Sequence, residues 1–414
     1  MSPKIILIII IAILLFDFIL ERILDYLNSK NWSNELPEQL KGIYDSAKYK
    51  KSQDYDKVKR KFSIFTDSLN LLLMLLMLIF GGFAFIDSFV RQYTQNPILL
   101  AIGFFGIIGI AADIIGTPFS LYNIFVIEEK FGFNKTTVKT YIFDKIKGWF
   151  LGAIIGGGLL SLIVWFYEST GKYFWIYVWL AVCAFMIFMT MFYSSIIVPL
   201  FNKQTPLEEG ELRTAIEEYA DKTGFQLKNI FKIDGSKRSS KANAYFSGLG
   251  AKKRIVLFDT LINDLTKEEI VAVLAHEIGH YKKKHTLAAI FASIIQTGIM
   301  LFILSLFINN PLLSQALGSE IKSFHIGILA FAMLYSPLST IMGLVMNVIS
   351  RRNEYKADAF AGTTYKPEYL QSALKKLSVN NLSNLNPHKA YVFFYYSHPT
   401  LLNRLKALGK LVKS

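Results

Sequence analysis

Cysteine is all but missing from this chain. Cys183 stands alone inside an apolar run, which excludes an internal disulfide and a thiolate metal site, so any metal must be held by histidine and carboxylate. Charge is sparse as well: 18% of residues are charged against 52% hydrophobic, and mean hydropathy is positive. That is too apolar for an ordinary water-soluble domain and too charged for a chain lying wholly in lipid. It indicates a multi-pass membrane protein with substantial polar parts. Acidic residues number 31 against 45 basic ones, a net +14. In a membrane protein such an excess belongs to cytoplasmic loops, and it gives no reason to expect a nucleic-acid partner. Internal repeats, low-complexity tracts and a C-terminal Cys box are absent. The opening stretch MSPKIILIIIIAILLFDFILERIL runs on past Asp17 without a small-residue cleavage site, so it reads as a retained first helix.

Seven segments have the roughly 20 mainly apolar residues that a helix needs to cross the hydrocarbon. They are residues 5–24, 69–90, 98–115, 149–167, 173–199, 287–308 and 324–349; the third carries Asp113 and is followed by Gly116 and Pro118. Lys and Arg between them fall on alternate sides, 40 on one and only Lys4, Arg91, Lys172 and Lys322 on the other. Such a bias predicts an extracytoplasmic or lumenal N-terminus and a cytoplasmic C-terminus, in an endoplasmic reticulum or a bacterial inner membrane. The expected division is a membrane domain at 1–200 with spans one to five, a polar cytoplasmic loop at 201–286, spans six and seven at 287–349, and a cytoplasmic tail at 350–414. The loop and the tail share one side, so residues of both can meet in one site. The first loop, polar and expected to be helical, faces that side too.

LAHEIGHYKKKHT lies at the end of the polar loop. Apolar residues recur at helical spacing through Ile270, Val273, Leu274 and Ile278, and Thr266 with Glu269 reads as a capping box opening the helix. Residues four apart lie ~40° apart around a helix and one turn above each other, so His276 and His280 can bind one ion. Glu277 is displaced around the helix and can reach a water on that ion instead. Zinc lowers the pKa of such a water to about 7, and a carboxylate can take its proton and pass it to a leaving amine. A bare HExxH also arises by chance, but here it sits in an otherwise apolar helix, where unsatisfied polar groups are costly. A third ligand is available after span seven, in NVISRRNEYKADAFAG. There Glu354 can complete a His2Glu set with water in the fourth position, and Asp358, one turn on, can accept the free ring N–H of a liganding histidine.

HEIGH, SRRNEYKADAFA and YYSHPTLLNRLKAL, with FVIEEKFGFNKTT, PLFNKQTPLEEGEL and GSKRSSKANAYFSGLGAKKRIVLFDTLI, together resemble the type I CAAX prenyl proteases, integral-membrane zinc endoproteases of the a-factor-converting type. The resemblance covers nearly the whole chain in order. It implies an all-α multi-pass fold, seven transmembrane helices enclosing a chamber, with a cytoplasmic zincin-like part containing a small β element. It implies one Zn2+ per chain held by His276, His280 and Glu354, Glu277 as general base, and His398 and Arg404 approaching the substrate carbonyl to stabilise the oxyanion. Asn243 and Ala244 precede KKRIVLF, whose β-branched alternation reads as strand. By the resemblance, the backbone there is an edge to which an extended peptide adds. Many relatives carry a histidine two residues before that asparagine, where this chain has Lys241, which bears on substrate preference.

The implied partners are a peptide or lipidated protein substrate and the bilayer, with the oligomeric state open and a monomer compatible. Two other readings stand beside this one. A quality-control metalloprotease of the heat-shock type would cut membrane proteins without a lipid requirement, and a transporter or channel would need no glutamate beside two ligands. Asp17, Asp87 and Asp113 are expensive in lipid and are expected to face an interior or a polar partner. His285, His325 and His388 read as structural.

Overall fold

The structure, a computed structural model, describes residues 2–32, 38, 41–225, 229–248 and 254–412. Parts of the first loop expected to be helical, and Lys252 and Lys253 before the expected strand, lie outside the described residues. Helices α1 (Pro3–Ser29), α2 (Ser46–Ile79), α3 (Gly82–Arg91), α4 (Pro97–Tyr122), α5 (Val138–Leu151), α6 (Gly157–Thr170) and α7 (Phe174–Ile196) form the N-terminal part. The polar segment holds α8 (Glu211–Lys222) and α9 (Lys267–Lys282). Then follow α10 (His285–Phe307), α11 (Pro311–Ala316), α12 (Phe324–Thr364), α13 (Pro367–Asn380), α14 (Lys389–Tyr395) and α15 (Leu401–Val412).

Six helical runs among the described residues are long and apolar enough to cross a membrane. One of them, Val138–Phe201, has 64 residues, about 96 Å at 1.5 Å per residue and some three times the hydrocarbon thickness. It reverses at Gly171, whose φ of +54° ends α6, and α7 packs back along α6, so the crossings number seven. Two boundaries differ from the sequence expectation. The second span is two helices, because Gly81 adopts φ +67° and interrupts the chain between α2 and α3. The third does not stop near Pro118; it continues through Tyr122 into a π turn, Asn123–Glu128. Pro118 is thus carried inside a continuous helix, with the change to π geometry starting five residues after it.

Each crossing packs on its sequence neighbours, and α12 closes the circle against α1 on one side and α10 on the other. Only 6–17% of each apolar window is buried inside the protein, too little for a solid seven-helix bundle, so the helices form a ring around an open interior. At the end holding the N-terminus the ring is plugged by one apolar core. Ile10, Phe83, Phe104, Phe174, Leu304 and Ile326 meet there, roofed by α11. Among them Asp87 accepts from His325 Nε2 at 2.7 Å and from Arg91 Nε at 2.9 Å, which accounts for a buried acid and a buried histidine together. Asp17 accepts from Ser336 and Asp113 pairs with Lys145, so all three intramembrane aspartates have polar partners.

The other end carries the polar body. Strands β1 (Gln204–Pro206), β2 (Ile230–Ile233), β3 (Ala244–Ser247) and β4 (Arg254–Phe258) form a sheet ordered β1-β2-β4-β3, with β2 and β4 parallel and β3 antiparallel to β4. Its core joins the sheet to α8, α9, α12, α13 and α15 through Ile216, Leu257, Leu261, Ile270, Leu274 and Leu408. The expected capping box is present: Thr266 Oγ1 accepts from Glu269 N and Glu269 Oε2 from Thr266 N. Glu269 is also held by Ser372 and Lys376, which fixes the start of α9 on α13.

Candidate metal centre

Two helices from distant parts of the sequence make the centre. α9 crosses α12 at Gly279, the small residue of HEIGH; a Cβ there would lie 3.1 Å from the Ala357 backbone and 3.2 Å from Phe360 Cβ. Any larger residue would hold the helices apart, so this glycine permits the close crossing that brings Glu354 beside the histidines. α12 runs for 41 residues, about 60 Å, twice what the hydrocarbon requires, so its last four turns stand clear of the bilayer with Glu354 and Asp358 on them.

His276, His280 and Glu354 each offer one ligand atom within a 4.8 Å group. His280 Nε2 lies 3.1 Å from His276 Nε2 and 3.1 Å from Glu354 Oε1, and His276 Nε2 lies 3.4 Å from Glu354 Oε2. Three ligand atoms at zinc bond lengths and tetrahedral angles would be roughly 3.3 Å apart. Two ring nitrogens facing each other beside a buried carboxylate are badly matched to one another and well matched to a shared cation, so the donor set fits zinc.

The supporting contacts fix which nitrogen faces inward. Asp358 Oδ1 is 2.9 Å from His276 Nδ1, the partner that leaves Nε2 as the lone-pair side. Burial disfavours charge on His276, but the Asp358 and Glu354 carboxylates beside it push its pKa up to about 9. Burial works against the Glu354 carboxylate too, and contacts with His276, His280 and His398 overcome it, holding it far below the usual carboxylate range. Asp358 is likewise held low by His276 and Arg404 in spite of burial.

Glu277 is half-buried and opens onto a cavity of about 610 Å3 that also touches His276, His280, Glu354, His398 and Phe246. His398 sits at its rim, largely exposed, with Nδ1 2.9 Å from Glu354 Oε2. Arg404 is held on carboxylates and also lies 3.3 Å from the His276 ring, Nη2 to Nδ1. Its Nε donates to Asp358 Oδ2 at 2.8 Å and its Nη2 to Asp358 Oδ1, while Nη1 stays 3.7 Å from Glu354 Oε2. The guanidinium is engaged by carboxylates behind the ligands, so in this arrangement it braces Asp358, and through Asp358 the His276 ring.

β3 is an edge of the sheet. Asn243 O accepts from Phe258 N at 3.1 Å, so in the antiparallel alternation Tyr245 also faces β4, and the backbones of Ala244 and Phe246 turn to the free edge. Of these, Phe246 lines the metal cavity and Ala244 does not; the Ala244 N–H is covered by Asn243 Oδ1 at 2.9 Å.

His285, which the sequence suggests only as a structural residue, is brought to the ligand histidines. The chain turns at Lys284, φ +58°, and carries His285 Nδ1 back to 3.1 Å from His280 Nδ1. It orients His280 as Asp358 orients His276. The only sequence signal is a third histidine five residues after the second, which continuous helical geometry would place on a different face. His325 serves Asp87 in the plug, and His388 caps α14 by accepting from Ala390 N.

Comparison with known proteins agrees with this layout. Residues 25–203 match the family described as CAAX prenyl protease N-terminal, five membrane helices, and residues 206–412 match peptidase family M48. CAAX prenyl protease 1 of Saccharomyces cerevisiae is 38% identical over 400 residues, 90% of this chain and 88% of that protein. An Arabidopsis thaliana homologue is 37% identical over 90% of both chains, and the Homo sapiens homologue 33% identical over 91% of this chain and 89% of its own. The crystal structure of S. mikatae Ste24p superposes with a TM-score of 0.93 at 37% identity, covering 97% of this chain and 99% of that one.

Proposed function

Because this chain belongs to the CAAX prenyl protease 1 family of membrane-embedded M48 metalloendopeptidases, we propose that it hydrolyses peptide bonds near the C-termini of prenylated proteins, using one Zn2+ held by His276, His280 and Glu354. The observation that carries this reading is the convergence of those three ligand atoms at a cavity that Glu277 shares and that Phe246 of an edge strand borders.

When bound, the ion supplies a Lewis acid that acidifies water and polarises a carbonyl. The rest falls to the chain. A substrate peptide extends along the free edge of β3, the backbone near Asn243 and Ala244 setting its path into the cavity. A Glu277 carboxylate oxygen takes the proton of the attacking water and delivers it to the departing amine nitrogen. His398 has one ring nitrogen against Glu354 and the other left to donate to the developing oxyanion. Arg404 keeps Asp358 ionised and in place behind His276.

In detergent, the purified protein is expected to cut a farnesylated CAAX peptide well above the rate for an unlipidated membrane-protein fragment. Equal rates would assign it to lipid-independent quality control. The charge bias supports a cytoplasmic position for the basic side, and with it for the metal centre and the C-terminus. A reporter fused after Ser414 should accordingly be active in the cytoplasm, and activity on the far side would reverse the orientation.

A further inference from the structure

The strand that borders the cavity is short, and its usefulness depends on register. A slip of one residue would turn Tyr245 outward in place of Ala244 and Phe246 and face the wrong side chains to the metal. Strands with little to specify them slip, and β3 has four residues and one partner, so something outside the sheet has to hold it.

The segment leading into β3 is fastened to the loop that follows the third membrane span. Ser240 N donates to Phe133 O and Lys135 N to Arg238 O, both at 3.1 Å, and Ser240 Oγ donates to Gly132 O at 3.0 Å. At the end of this seam Lys241 leaves the backbone two residues before Asn243 and inserts between membrane-helix extensions. Its Nζ donates to Glu128 Oε2 at 3.1 Å and to Tyr55 Oη at 3.0 Å, and lies 4.1 Å from the centre of the Phe133 ring. Tyr55, from α2, donates to the other oxygen of Glu128 at 2.6 Å, and Lys59 approaches that oxygen at 3.5 Å. Glu128 is the last residue of the π turn that follows α4. One carboxylate therefore joins α2, the π turn and the entry to β3. The ammonium is ion-paired, hydrogen-bonded and stacked on an aromatic face, a combination much stronger than an exposed surface pair.

We infer that Lys241 is a positioning residue: by locking onto Glu128 and Tyr55 it pins the register and height of the β3 edge against the membrane helices, and so sets how the substrate backbone is received. This rests on the reading of β3 as the substrate-pairing edge. Lys241 has no contact with the ligands or with Glu277, so its loss should weaken ground-state and transition-state binding alike, which raises KM and leaves kcat alone.

The test uses the full-length protein in detergent with one peptide substrate in two forms, unmodified and N-methylated at a backbone amide that would pair with the strand. Lys241→Met, which keeps the stem over Phe133, should raise KM for the unmodified peptide about tenfold with kcat within about twofold. Bound zinc and the thermal midpoint should match the parent, and Lys241→Arg should restore KM to within about twofold. N-methylation should raise KM in the parent and add little further in Lys241→Met. If Lys241→Met leaves KM unchanged, or lowers kcat and zinc content with it, the positioning role is wrong. If N-methylation costs nothing in the parent, the strand-addition reading itself fails, whatever Lys241 does.

Discussion

Glu277→Gln should lower kcat by ~10³-fold while leaving one zinc per chain and KM little changed. The amide is isosteric with the carboxylate, and Glu277 is absent from the group of ligand atoms, so the metal set survives. What is lost is a base for the attacking water and an acid for the leaving amine, two proton transfers performed by one group. The substitution removes a function made only in the transition state, which is why the loss belongs in kcat. Turnover by the purified variant, measured beside its metal content, checks this; a variant as fast as its parent would mean that another group moves the protons.

Glu354→Ala should go further and remove the metal itself. Glu354 is buried to 3% exposure and its carboxylate oxygens lie 3.1 and 3.4 Å from the two inward-facing histidine nitrogens. Without it two ligands remain, one short of a catalytic set. Loss of a supporting partner such as Asp358 typically costs ~10–100-fold in metal affinity, so Asp358→Ala should retain zinc when the ion is in excess, whereas Glu354→Ala should not. Equilibrium dialysis with Zn2+ separates the two. If Glu354→Ala bound zinc as tightly as Asp358→Ala, the third ligand would have to be sought elsewhere.

Much of this was legible from residues alone. HEIGH carries its own geometry, since a four-residue step puts two rings on one face of a helix, and the capping box at Thr266 and Glu269 marks where that helix starts. Glu354 could be found because few acids follow a membrane span among small residues such as Ala357 and Ala359. The seven crossings follow from apolar length, with corrections where a single glycine, Gly81, breaks a span and where the third helix runs on through Pro118 to Tyr122 and a π turn. Other features were not legible because they depend on three-dimensional meetings. His285 returns to His280 only through a left-handed turn at Lys284, which side-chain periodicity does not predict. Arg404 and Asp358 are 46 residues apart in sequence, and nothing in SHPTLLNR indicates that the arginine is engaged by that carboxylate. Glu128, Tyr55 and Lys241 form a single node from three segments, and although Lys241 stands out as a departure from many relatives, nothing in the sequence indicates its two partners.

The crossing at Gly279 also bears on how the chain is made. Synthesis delivers the first two of the proposed metal ligands well before the third, with span six and span seven still to be inserted between them. At roughly 5–20 residues per second, several seconds separate the emergence of His280 from that of Glu354, and more pass before Arg404 follows. During that interval the ribosome holds a polypeptide with Glu277, the proposed base, and no complete place for an ion. With the third ligand arriving last, the proposed hydrolytic competence would follow membrane insertion of the chain and not precede it.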